Sequence, residues 1–98
     1  MVMTFGDAAT ETFYHGKRDR AAQRFVAGGI ANALRKRLDQ LNAAARVTDM
    51  AVPPGNGLHA LDGDLTGFHA VRVNKQFRLV FRFHEGHAYD VRCYDYHD

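Results

Sequence analysis

The sequence predicts an α+β domain in which N-terminal helices pack on one face of a small twisted antiparallel sheet. Three observations carry that expectation. Ile30, Leu34, Leu38 and Leu41 recur at spacings of four, four and three, which stacks them on one face of a helix. From Leu58 onward the apolar period changes to two, in short runs parted by turn-like residues. The chain has 98 residues, enough for one compact domain and too few for two ordinary ones, so a single domain over residues 1–98 is expected. Its strands then have to close their core against the helix that precedes them.

Composition narrows the class. Hydrophobic content of 46% and charged content of 24% are those of a soluble globular chain, and no apolar run approaches the roughly 20 residues of a membrane span. The opening MVMTFGDAATETF lacks the basic start and apolar block of a secretory signal, so a cytoplasmic location and no membrane partner are expected. The one cysteine, Cys93, forms no internal disulfide and reads as a small buried hydrophobe within a strand-like run. Thirteen basic against eleven acidic residues leave a net charge of +2, which by itself argues for no nucleic-acid partner. An electrostatic case has to rest on where the charges sit.

Val2 to Phe5 fits a short strand, and Asp7 fits the N-cap of a helix reaching about His15, with Gly16 to end it. KRDRAAQR, residues 17–24, reads as a basic connector, either a solvated loop or a contact for phosphates. The clearest helix begins near Gly28 and Gly29 and carries the Ile30–Leu41 stripe to about Ala45. Arg35, Lys36 and Arg37 lie largely off that stripe, as a solvated face or a partner-facing patch. The pattern then decays into PPGNG, residues 53–57, where two prolines and two glycines in five positions argue against regular structure.

Strands are expected at about Leu58 to Leu61, Phe68 to Val73, Phe77 to Phe83 and Ala88 to Tyr94, antiparallel because the connections are short. If Asn74-Lys75-Gln76 and His84-Glu85-Gly86 are three-residue loops, Val73 faces Phe77 and Phe83 faces His87. One face then collects Val71, Val73, Phe77, Leu79, Phe81, Phe83, Tyr89, Val91 and Cys93. The other places Arg72 beside Arg78 and Arg78 beside Arg92. Like charges directly opposite on a sheet are destabilising, so such a row calls for an anion between its members. The competing readings are a solvated polar face, or a two-residue-loop register that separates the arginines. Tyr94 and Tyr96 continue the arginine parity.

Six histidines invite a metal or acid–base reading. His84 and His87 flank a hairpin turn without cysteine or carboxylate ligands at a suitable spacing, so no metal is expected. His59, at the start of the first strand, and His97, near the end, are the two placed to carry a proton near neutral pH. The glycines of GNG and GDLTG match neither a P-loop nor a dinucleotide fingerprint, and no cofactor is expected.

The run PPGNGLHALDGDLTGFHAVRVNKQFRLVFRF, followed at the terminus by DYHD, resembles the HigB branch of the RelE/ParE toxins, also described as plasmid-maintenance killer proteins. The resemblance spans essentially the whole chain. It rests on the PPGN connection, the Leu-x-x-Leu-x-Gly-Asp segment, the Arg-Val-Asn-x-Gln-Phe-Arg hairpin and the terminal Asp-Tyr-His. It implies a RelE-like fold and a ribosome-dependent messenger-RNA endonuclease. In such toxins a 2′-hydroxyl of the message attacks the adjacent phosphate without a metal. The partners it implies are the ribosome and mRNA, a HigA-type helix-turn-helix antitoxin, and operator DNA only through that antitoxin.

The family's site residues carry over to His59, Arg78, Asp95, Tyr96 and His97. A guanidinium holds a phosphate and stabilises charge on its oxygens, which suits Arg78 with Arg92, Arg72 and Lys75 assisting. A histidine or tyrosine moves the protons of the attacking and leaving oxygens, which suits His59, Tyr96 or His97. One departure stands out. Where many of these toxins have Lys-Gly-Asp-Arg, this chain has Asp62-Gly63-Asp64-Leu65, so two cations become an aspartate and a leucine. Asp62 is then a proton acceptor, a charge that weakens or abolishes cleavage, or a turn residue before Gly63. A chain that lost cleavage would remain a binding module for an antitoxin, its DNA complex or the ribosome.

Overall fold

The computed structural model describes residues 1–17 and 19–95. Three helices come first, α1 (Ala8–Tyr14), α2 (Arg20–Ala27) and α3 (Ala31–Ala43). A four-stranded sheet follows, β1 (His59–Ala60), β2 (His69–Arg72), β3 (Phe77–His84) and β4 (His87–Asp95), in the order β1-β2-β3-β4 with every neighbour antiparallel. Along the outer edge of β4 the N-terminal segment runs parallel, bridging Val2 to Ala88 and Phe5 to Val91.

Local chemistry explains the helix ends. The Asp7 carboxylate accepts from the Thr10 backbone N–H at 2.8 Å and starts α1, and Gly16 turns the chain away at φ 73°. The expected connector at residues 17–24 is corrected, because Asp19 caps a second helix by accepting from Ala22 N–H at 2.8 Å. That helix buries only Ala22 and Phe25, one turn apart, and leaves Val26 exposed. The helix spans only eight residues, about two turns, too short a window for its pattern to stand out beside the charges that lead into it.

In α3 the stripe behaves as its spacing requires. Ile30, Leu34, Leu38 and Leu41 are buried with Phe25, Met50, Val71, Leu79, Phe81 and Val91 in one core between helices and sheet. The cationic triplet of α3 is more than a solvated face. Arg35 donates to the carbonyls of Tyr14 and Phe13 at the end of α1, and its guanidinium lies 4.7 Å from the Phe13 ring. Arg37 donates to the Arg72 carbonyl at 3.0 Å, and Lys36 is exposed.

The PPGNG connection is more regular than its composition suggests. Pro54–Asn56 form one 3-10 turn, after another at Val47–Ala51. The Asn56 side chain is fully buried and donates to Met50 O, Gln40 Oε1 and Val52 O, which ties the connection to α3. Hydrogen bonds from the Ala45 and Arg46 N–H groups hold the Asp49 carboxyl below the usual carboxylate range.

Register brings two corrections. Arg72 pairs with Arg78 as expected, but Arg78 pairs across β4 with Tyr94, and Arg92 pairs with Val80. The β3–β4 loop has two residues, since His84 pairs with His87 around Glu85 (φ 49°) and Gly86 (φ 81°), both left-handed as in a type I′ turn. A bulge follows, with Asp90 at φ 54°. Each feature shifts the pairing by one residue, so together they shift it by two and restore the predicted parity for Val91 and Cys93, which are buried. Before the bulge the parity is reversed, so Ala88 enters the core in place of Tyr89.

Candidate functional site

The sheet face turned away from the helices gathers most of the candidate residues. Register partners share a face, so one row across the four strands is His59, Ala70, Val80 and Arg92. The next row along is Arg72, Arg78 and Tyr94. Neighbouring strands stand about 4.8 Å apart and the two rows about 6.6 Å apart. Ala70 and Val80 are fully buried in the middle of the first row, and around them the two rows carry an imidazole, three guanidinium groups and a phenol.

Arg78 is seated by the β2–β3 loop. The Asn74 side-chain oxygen accepts from Gln76 N–H (2.8 Å) and Phe77 N–H (2.7 Å), closing the turn. That turn aims backbone carbonyls at the guanidinium, and Arg78 Nη1 donates to Asn74 O at 2.5 Å and Phe77 O at 3.1 Å. Lys75 is exposed in the same loop.

Arg92 is held from below. A Cβ on Gly6 would stand 3.1 Å from Arg92 Cδ and 3.0 Å from the Asp90 carbonyl oxygen, so the N-terminal segment and the Arg92 stem pack with no room for a methyl group. The Arg92 guanidinium lies 5.1 Å from the centre of the Tyr94 ring. His59 is exposed, and its Nδ1 is 3.0 Å from the Gly57 carbonyl. With a proton on Nδ1 that contact leaves Nε2 as the proton acceptor.

The remaining candidates sit elsewhere. Asp95 pairs with Phe77 at the end of β4, on the opposite parity from Arg78, and its carboxylate accepts from Gln76 Nε2 at 3.1 and 3.2 Å. Asp62 is exposed and caps the 3-10 turn Gly63–Leu65 between β1 and β2 with its backbone, without a side-chain bond. It lies past the Leu61–Phe68 end of the sheet, on the far side of His59 from Arg72 and Arg78. Tyr96 and His97 are outside the described residues. Cys93 is buried, and burial pushes its thiol up to about 12. Among the described residues no group of three or more His, Cys, Asp or Glu is placed to hold a metal ion. Parity had put Tyr94 on this face without giving it a task, and its place opposite Arg78 is what the structure adds.

The arrangement sets the Arg72 and Arg78 guanidinium groups opposite each other, with the His59 imidazole on the same face. A family model described as RelE-like toxin of type II toxin-antitoxin system HigB matches residues 3–97. The chain belongs to this family of HigB-like toxins. Toxin HigB-1 of Vibrio cholerae serotype O1 is 40% identical to it over 88 residues, 90% of each chain. Endoribonuclease HigB of Proteus vulgaris is 32% identical over 66 residues, covering 61% of this chain and 72% of its own. Among solved structures, the YoeB-YefM complex from Staphylococcus aureus aligns with a TM-score of 0.61 over 100% of this chain and 99% of the matched one, at 17% identity. That last likeness establishes the RelE-like fold of this HigB-like toxin. None of the helices described is long and apolar enough to cross a membrane.

Proposed function

We propose that this HigB-like toxin is an endoribonuclease that cuts messenger RNA on the ribosome, the message's own 2′-hydroxyl attacking the adjacent phosphate. The observation that carries the proposal is the pairing of Arg72 with Arg78 on the same face as His59. Two guanidinium groups facing each other make a site of concentrated positive charge, and a phosphodiester is the anion such a chain meets on a message. Arg78 stabilises charge on the phosphate oxygens, with Arg72, Arg92 and Lys75 assisting. His59 takes or returns a proton at the reacting oxygens, a task it shares with Tyr96 or His97, and the Asp95 carboxylate holds the Gln76 amide of the β2–β3 loop. These groups supply charge and protons themselves, so the reaction as proposed uses no metal or cofactor.

The partner in this reading is a HigA-type helix-turn-helix antitoxin, through which operator DNA is reached, and the compartment is the cytoplasm. The matched YoeB chain was itself solved in complex with YefM, which supports an antitoxin partner. The second reading, a module that engages antitoxin or ribosome without cutting, draws on the exposed acid at Asp62. Inducing the chain alone and mapping new 5′ ends on cellular messages separates the two. Growth arrest with new ends supports the nuclease; no arrest and no new ends supports the module.

A further inference from the structure

We infer that Tyr94, backed by the Arg92 guanidinium, is a stacking platform for one unpaired base of the RNA, next to the phosphate held at Arg72 and Arg78. The inference deepens the RNA-cleaving reading and rests on it. Tyr94 is a large aromatic residue left 39% exposed, while Phe77, the β3 partner of the neighbouring Asp95, is buried on the other face. It stands directly opposite Arg78, one strand over, about 4.8 Å between backbones. A nucleotide whose phosphate meets Arg78 therefore has its base within reach of the Tyr94 ring.

The ring is also electronically prepared. Arg92 lies 5.1 Å from its centre, and the Arg92 stem is fixed against Gly6, so the phenol has a positioned cation beside it. Stacking on an aromatic ring beside a guanidinium is the general way proteins hold splayed bases of single strands, and it tolerates any base because every base has a π face. Arg92 thereby acts at the base, through Tyr94, as much as at the phosphate. The Tyr94 hydroxyl has no part in this task, which separates the platform from a proton-transfer role.

The test uses the full chain and 2′-O-methyl oligoribonucleotides, which resist cleavage, with binding read by fluorescence anisotropy at low salt. Tyr94→Ala is expected to weaken binding roughly tenfold, within the span that alanine substitution gives for one stacked base. Tyr94→Phe is expected to bind within about twofold of the parent, since the ring remains. An abasic site walked along the oligonucleotide should reveal one position whose removal weakens the parent and does nothing further to Tyr94→Ala. Unchanged binding by Tyr94→Ala, equal losses in Tyr94→Ala and Tyr94→Phe, or additive losses at every abasic position would each overturn the platform. Arg78→Ala keeps that failure apart from failure of the RNA reading. If Arg78→Ala loses binding while Tyr94→Ala does not, only the platform falls; if the parent binds no oligonucleotide, the platform falls and message-end mapping alone decides the nuclease reading.

Discussion

Arg72 and Arg78 face each other as register partners on β2 and β3, and each has a different backbone tie. Arg78 donates to carbonyls of its own loop, while the Arg72 carbonyl accepts from Arg37 of α3. The helix layer thus ties one member of the arginine pair and the hairpin loop the other. Replacing Arg78 with alanine removes the guanidinium and also relieves a like-charge pair, so its effects on chemistry and stability diverge. Cleavage should fall on the order of a hundredfold or more, as when a charge-stabilising donor is lost. Unfolding free energy should move by no more than about 1 kcal/mol, the lost carbonyl bonds being offset by relieved repulsion. Message-end mapping and thermal unfolding check the two halves, and retained cleavage removes Arg78 from the site.

Gly6 is a structural route to the same face. Its substitution by alanine puts a methyl group 3.0 Å from a backbone oxygen and 3.1 Å from Arg92 Cδ. The backbone oxygen belongs to the bulged Asp90 and yields little, so the Arg92 stem or the N-terminal segment shifts. Overpacking of this kind costs about 1–3 kcal/mol, which a denaturant titration resolves. RNA affinity should drop together with stability, because Arg92 loses its position beside Tyr94. A Gly6→Ala variant that is destabilised but binds RNA as the parent does would show that the Arg92 position is not set from this side.

The helix-then-sheet order and the arginine-bearing face were legible because each follows from periodicity, which the core enforces. A strand slipped by one residue would bury Arg78 and expose Leu79. What escaped were features set by single residues with weak signals. Glu85 in the left-handed region is an unusual start for a two-residue turn, so the loop reads as three residues long. The bulge at Asp90 leaves no mark on the alternation except that Ala88 and Tyr89 exchange faces, and an alanine is too small to announce itself as core. Asp19 looks like one more charge in a basic run until its carboxylate is seen on Ala22 N–H. The site was half legible: parity put Arg72, Arg78 and Arg92 on one face, His59 entered through its chemistry and the resemblance and joins that face only through the observed register, while the parity of Asp95 turns it toward Gln76.

Cys93 gives a prediction in pH. Burial raises its thiol from an ordinary 9.0 to about 12, so the folded chain keeps the neutral form where the unfolded chain ionises. The contribution is fully present below pH 9.0 and is lost as pH rises toward about 12. Stability measured by denaturant should therefore be indifferent to the Cys93 thiol at neutral pH and decline in the alkaline window. Cys93→Ala should remove that part of the decline. Alkylation of the native protein should follow global unfolding, so a thiol that reacts quickly at neutral pH in the folded state contradicts the burial.

Asp62 tests how far the message runs along the face. It lies at the end of the sheet past Leu61 and Phe68, five residues along the strand direction from the level of Arg72, which is roughly 15 Å. Asp62→Lys changes the charge there by two units. Through water at that distance two units are worth about 0.5 kcal/mol before screening, and salt reduces this further. A phosphate held only at Arg78 would therefore bind at most about twofold better in the variant. A message that continues from Arg78 past His59 comes close to residue 62 and gains far more. We expect Asp62→Lys to raise cleavage and toxicity by more than fivefold on RNAs long enough to pass His59, with the gain shrinking as salt rises. A gain of twofold or less, equal on short and long RNAs, would confine the message to the Arg78 end. Unchanged or lower activity would mean that the acid at Asp62 does not weaken this toxin.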